Sequence, residues 1–241
     1  MKIKLVHAFR TMFLPLFVLS AGAILNPPVK AQSPELQERV AELKESMARN
    51  KQSLGQYTWV EQVNISLKGE MKKQEHFQVR LGPDGKPQKT SLDPPSDGSS
   101  ESGGRLKRHV VAKKKEEYRE YAEQMKALAQ QYVPPDKEAI QQAYAQGNIM
   151  MGPSGAPTEI KLVFHSFVKP QDSMTLVFDN AQKQLLSLQI ASYMDDPKDA
   201  MNLTVQFSRL PDGTSHVSGM VIDGVSKELN IATQNSNYQH L

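Results

Sequence analysis

The stretch QLLSLQIASYMDDPKDAMNLTVQFSRLPDGTSHVSGMVIDG, residues 184–224, decides how the chain folds. Within it Met201, Leu203, Val205 and Phe207 alternate with Asn202, Thr204, Gln206 and Ser208, the two-residue period of a strand with one buried and one wet face. Asp195-Asp196-Pro197 and Pro211-Asp212-Gly213 are turn chemistry, and they divide the stretch into strands over 184–193, 201–209 and 215–222. Further runs over 159–168, 173–178 and 226–233 join on through Lys169-Pro170, Asp179-Asn180 and Asp223-Gly224. Runs rich in Val, Ile, Leu, Phe and Thr with such short connections predict an antiparallel meander.

Toward the N-terminus, Ser33-Pro34-Glu35 is a helix start, with a capping hydroxyl, Pro in the first turn and an acid beside it. Leu36, Val40, Leu43, Met47 and Leu54 follow near helical spacing up to Gly55. Trp59, Val63, Ile65 and Leu67 then share one side of a strand, opposite Thr58, Gln62, Asn64 and Ser66. After a turn at 68–70, residues 74–81 repeat the alternation with Phe77, Val79 and Leu81 inward, and a turn at 83–86 leads to a short strand ending near Leu92. Residues 93–104, rich in Pro, Ser, Gly and Asp, are expected to form a mobile loop. A helical insertion over 107–148 follows: a helix over 113–133 with Tyr118, Tyr121, Ala122, Met125, Leu128, Ala129 and Tyr132 on one stripe, a break at Pro134-Pro135, and a second helix capped by Asp136 and ended by Gly147. A Gly/Pro/Ser tract at 152–157 closes the insertion.

The sum is an α+β chain with roughly nine one-sided antiparallel strands, a leading helix and a two-helix insertion. A sheet with one apolar face must cover it, so the expectation is a curled sheet, a half-barrel, whose concave face the helices cover.

Charge and cysteine content restrict the function classes. The 241 residues carry 29 Lys and Arg against 26 Asp and Glu, a formal net charge of +3. Lys2, Lys4, Arg10 and Lys30 all precede residue 32, where there is no acid, so the rest of the chain holds 25 basic against 26 acidic residues, a net of −1. The basicity therefore does not argue for nucleic acid. Residues 1–31 have the layout of a signal peptide: a basic start, an apolar run at 11–25, and Val29-Lys30-Ala31 before a cleavage point near Ala31. The run is shorter than the roughly 20 apolar residues of a membrane span. The expectation is a periplasmic or secreted domain over 32–241. With no Cys, it has no disulfide, thiol catalysis or thiolate zinc site, and no thiol for lipid attachment.

Catalytic patterns are missing as well. His76, His109, His165, His216 and His240 are scattered without metal-ligand spacing, and there is no Gly-x-Ser-x-Gly elbow or phosphate-binding Gly loop. Asp195, Asp196 and Asp199 read as turn residues rather than calcium ligands. The expectation is a non-enzyme with no cofactor and no metal.

The element order resembles the outer-membrane lipoprotein carrier, or Lol-type, superfamily, as a divergent exported relative. The residues that carry the resemblance are Gln56-Tyr-Thr-Trp-Val-Glu-Gln-Val-Asn-Ile65 after the leading helix, Phe207-Ser-Arg-Leu-Pro-Asp-Gly-Thr214, and Leu229-Asn-Ile-Ala-Thr-Gln-Asn-Ser-Asn-Tyr238. The resemblance implies a concave face that binds a lipid or other hydrophobic ligand beneath helical lids, in envelope lipid or lipoprotein trafficking.

The residue pattern leads to the same place. Trp59, Val63, Ile65, Phe77, Val79, Leu203, Val205 and Phe207 supply an apolar lining, and Tyr118, Met125 and Leu128 a lid side. The other reading is a structural or protein-interaction module whose concave face is filled by its own helices. Glu61 is on the apolar side with Trp59 and Val63, so it is expected at the cavity mouth, paired with a cation from the lid, or turned to water at a strand end or bulge. Arg105, Lys107, Arg108, Lys113, Lys114 and Lys115 form a dense basic patch, read either as a contact for an anionic membrane surface or as a solvated helix face.

Overall fold

The computed structural model describes residues 33–94 and 105–241, with side chains in the second segment from residue 111 onward. The signal peptide expected over 1–31 lies outside the described residues, as do Pro95 to Gly104 of the expected loop. The chain order is α1 (Pro34–Leu54), β1 (Tyr57–Leu67), β2 (Glu70–Leu81), β3 (Pro87–Ser91), α2 (Arg105–Ala129), α3 (Lys137–Ala145), β4 (Ile149–Pro153), β5 (Glu159–His165), β6 (Ser173–Asp179), β7 (Gln184–Tyr193), β8 (Ala200–Arg209), β9 (Ser215–Gly224) and β10 (Leu229–His240), with a 3-10 turn at Val225–Lys227.

All ten strands form one sheet in the order β3-β2-β1-β10-β9-β8-β7-β6-β5-β4, antiparallel at every pairing. The two ends of the order do not pair with each other, so the sheet is open and curled rather than a closed barrel. β1 joins β10, which brings the first and last strands of the domain together in the middle of the sheet. Register shifts at Thr58/Val60, Ile65/Ser66, Val177/Phe178 and Gln206/Phe207 are places where an extra residue bends a strand, and they supply curvature. The helices share one core with the sheet: Leu36, Val40 and Leu43 from α1, Met125 and Leu128 from α2, and Ile140 from α3 pack with Leu176, Leu188, Leu203, Val205, Ile222 and Ile231.

Local chemistry explains the boundaries. The Ser33 side chain accepts the Leu36 N–H at 3.2 Å and Asp136 accepts the Ala139 N–H at 2.8 Å, so both predicted caps open their helices. The β1–β2 connection has two residues, Lys68 and Gly69, both at positive φ (54° and 77°), the twist a two-residue hairpin needs.

The structure differs from the sequence expectation in several places, among them the ends of β5 at His165 and of β10 at His240. A tenth strand, β4, occupies Ile149–Pro153, where the Gly and Pro of the expected tract sit on the sheet edge and Pro lacks only a donor that the edge does not use. α2 begins at Arg105 rather than near 113, and it ends at Ala129, with Tyr132 in the following turn. β2 starts at Glu70. β9 runs through Asp223-Gly224, and the 3-10 turn makes the connection to β10.

Candidate ligand-binding face

The concave face is filled. Val63, Met125, Leu128, Leu203 and Val205 are buried in the shared core, and Ile65, Phe77 and Phe207 pack against it half-buried. A cavity of about 10 Å³ remains between α1 and the sheet, lined by Arg39, Leu43, Leu162, Leu176, Phe178 and Leu185, the space of roughly one water. Trp59 and Val79 are buried outside this cluster. Tyr118 is half-buried on α2, with the Lys227 ammonium 5.8 Å from its ring centre.

Four methionines belong to the core that the helices share with the sheet: Met125, Met174, Met194 and Met201 are all buried, three of them at 0% exposure. The unbranched thioether repacks around neighbours of different shape more readily than Leu or Ile does. α2 packs tightly on the sheet at Gly224, where a β-carbon would lie 2.6 Å from Tyr121 Cε1 and 2.7 Å from Met125 Sδ.

Polar contacts fasten α2 and the turn after it to the loops at this end of the sheet. The Tyr121 hydroxyl donates to Asp199 Oδ1 at 2.7 Å, and Ser226 donates to the same oxygen at 2.6 Å. Lys227 bonds Glu117. Burial, and then the Asp199 carboxylate, hold the Tyr121 hydroxyl protonated to higher pH than usual, so it remains a donor. Asp199 is thus a fastening point for the helix. Among the described residues no group of three His, Asp or Glu is placed to hold a metal ion. Tyr121→Phe is expected to lower stability by about 1 kcal/mol and to speed amide exchange along α2 more than along β7 or β8. Equal speeding everywhere would mean that this hydrogen bond does not hold α2 separately.

Sequence reasoning did not single out the deepest polar cluster. Asp172, 2% exposed, accepts the N–H groups of Phe167 (2.6 Å), Val168 (2.9 Å) and Lys169 (2.7 Å) and the Tyr132 hydroxyl, which also contacts Ser192 Oγ at 2.8 Å. Burial and Asp172 push the Tyr132 hydroxyl well above the usual tyrosine range. Lys169 Nζ completes the corner by donating to the carbonyls of Tyr193 and Met194. The α2–α3 turn is thereby tied to the β5–β6 and β7–β8 loops.

Glu61 is 8% exposed on the apolar side and is paired with Lys89 of β3, so its cation comes from the sheet edge rather than from a lid. Beside it Trp59 stacks on Tyr238 (centroids 5.5 Å, 18° between planes), and Tyr238 donates to Val217 O at 3.2 Å. Burial first, and then the Glu61 charge, raise the Tyr238 hydroxyl above its ordinary range. Of the basic patch, Lys113, Lys114 and Lys115 are exposed on α2, and the side chains of Arg105, Lys107 and Arg108 lie outside the described residues.

No family model and no curated protein matches the chain. Among solved structures it is similar to a DUF1329 family protein from Desulfovibrio piger, with 12% identity and a TM-score of 0.39 over 83% of this chain and 92% of that one. It is also similar to a LolA superfamily protein from Nitrosomonas europaea, with 8% identity and a TM-score of 0.38 over 82% of this chain and 93% of that one.

Proposed function

We propose that the protein binds a lipid or other hydrophobic ligand, without chemistry, between the concave face of the sheet and a displaceable α2–α3 cover. We further propose that it does so in the periplasm or outside the cell, after cleavage near Ala31. The observation that carries this reading is the construction of the cover: a Met-rich apolar interface fastened by a few polar contacts at Asp172, Asp199 and Lys227. Such an interface can exchange its own side chains for acyl chains if the fastenings open. Trp59, Val63, Ile65, Phe77, Val79, Leu203, Val205 and Phe207 then line the ligand from the sheet side, Tyr118, Met125 and Leu128 face it from the cover, and Glu61 with Lys89 marks the rim. No helix among the described residues is long and apolar enough to cross a membrane.

One observation favours a second reading, a protein-interaction module whose cover stays shut: the cavity between α1 and the sheet, about 10 Å³, is far below the roughly 300 Å³ at which ligand pockets begin. Organic extraction of the protein purified from its host, followed by mass spectrometry, separates the two. The ligand reading expects lipid near one equivalent, or saturable uptake of oleate by protein that arrives empty. Protein that is empty and takes up no oleate is an interaction module.

A further inference from the structure

We infer that the end of the sheet bearing the β1–β2 and β9–β10 connections, together with the exposed residues 111–117 of α2, is a docking face for an anionic lipid surface. Three separate elements meet there. The tight Lys68-Gly69 turn sets Met71 at the start of β2, 61% exposed, with Lys72 and Lys73 behind it. The Lys68 N–H donates to Glu228 O at 2.9 Å, which places the β9–β10 connection alongside, and there Val225 is 52% exposed.

The third element is α2. Met125 and Tyr121 lie over Gly224, and one turn earlier Glu117 bonds Lys227 in the β9–β10 connection, so the helix axis runs toward these tips. Continuing in the same direction, Val111 falls six residues before Glu117, about 9 Å further out at 1.5 Å per residue. Every residue from 111 to 117 is exposed, so this part of the helix has left the sheet. A helix exposed on all sides has no packing partner of its own.

Six large apolar side chains are exposed among the described residues, and Met71, Val111 and Val225 belong to these three elements. Lysines surround them. Lys72 pairs with Glu70, Lys73 with Glu75, Lys227 with Glu117, and Arg119 with Glu116, whereas Lys68, Lys113, Lys114 and Lys115 make no ion pair among the described residues. Glu228 and Asp223 are further acids at the tips, Asp223 bonded to Asn230, and Asp199 accepts from Ser226 in the same connection. Four lysines on these elements, Lys68, Lys113, Lys114 and Lys115, therefore stand without an ion pair among the described residues, around single aliphatic points on three separate elements. That pattern suits a deformable headgroup layer, which takes single side chains between lipids and holds lysines by charge. A protein partner calls instead for a contiguous apolar centre, whereas the exposed aliphatic side chains here are single residues on three separate elements. The inference does not rest on the ligand reading, because it uses none of the concave face.

The test uses the full chain carrying Met71→Trp, in which the native Trp59 is buried and gives a constant background. Its emission should shift to the blue with vesicles containing one-third phosphatidylglycerol and not with pure phosphatidylcholine. Adding Lys113→Glu, Lys114→Glu and Lys115→Glu should weaken the anionic-vesicle response by about 100-fold in lipid concentration, or about five-fold per lysine, equivalent to roughly 1 kcal/mol each. No shift, an equal shift with neutral vesicles, or a shift unchanged by the three substitutions overturns the proposal. A response to polyglutamate with none to anionic vesicles overturns it as well and points to an acidic protein partner.

Discussion

Asp172→Ala is expected to destabilise the protein by about 3–5 kcal/mol, the scale found when a buried, hydrogen-bonded charge partner is removed. The loss is large because the carboxylate serves four donors at once: three consecutive backbone N–H groups of the β5–β6 loop and the Tyr132 hydroxyl. Alanine leaves all four without this acceptor, the Tyr132 hydroxyl among them in a buried position. Asp172→Asn retains one acceptor oxygen and the side-chain shape, and it should cost about half as much. Tyr132→Phe removes a single donor and should cost about 1–2 kcal/mol. Urea unfolding measures all three; at a few degrees per kcal/mol for a domain of this size, the alanine variant should also melt roughly 10 °C lower. Equal losses for Asp172→Ala and Tyr132→Phe would mean that the backbone donors find other acceptors and that the cluster does not organise the loop.

The second large effect is expected at Gly224. Its backbone is ordinary extended chain (φ −95°, ψ 98°), so a side chain meets no conformational strain there. The obstacle is α2. A β-carbon would sit 2.6 Å from Tyr121 Cε1, 2.7 Å from Met125 Sδ and 2.9 Å from the Tyr121 hydroxyl. The Tyr121 ring is held by Asp199, and Met125 has no exposed surface to move into. Gly224→Val should therefore lift α2 rather than be absorbed, at an overpacking cost of about 1–3 kcal/mol. A hydrophobic dye should bind the lifted protein while the far-ultraviolet spectrum stays the same. Gly219→Ala is the control: its β-carbon would meet Thr233 O at 3.6 Å, an ordinary contact, and stability should move by about 0.5 kcal/mol or less. Dye binding by both variants, or by neither, would contradict a local role for Gly224 in seating the helix.

The curled sheet was legible because its middle strands alternate cleanly: Met201 to Phe207 and Trp59 to Leu67 send one apolar series to a single face. The caps at Ser33 and Asp136 and the break at Pro134-Pro135 were legible because each is a local effect of one or two side chains. What escaped is governed by non-local partners. β4 has five residues, two of them Gly and Pro, with no alternation, and it is a strand only because β5 offers it a ladder. Residues 111–117 of α2 are all exposed and leave no apolar periodicity in the sequence. β10 continues to His240 through Gln234, Asn235, Ser236 and Asn237 because β1 pairs with it almost to its end. The same holds for the site. The inward side of Glu61 could be read from spacing, whereas Lys89, 28 residues on, could not. Nothing in the spacing around Lys169-Pro170 singles out Asp172, and only the fold brings Tyr132 to it. Above all, alternation fixes which residues face inward but does not say whether the space they face is open or filled.

The central claim is that the filled concave face opens when α2 lifts to admit an apolar ligand. The absence of cysteine makes it directly testable, because Glu120→Cys on the exposed side of α2 and Asn202→Cys on the outer face of β8 give the protein only two thiols to spin-label. The distance between the labels, measured by pulsed electron resonance, should be a single short population in the empty protein and should lengthen as oleate is titrated to saturation. Oleate bound at one equivalent with the distance unchanged would contradict the account.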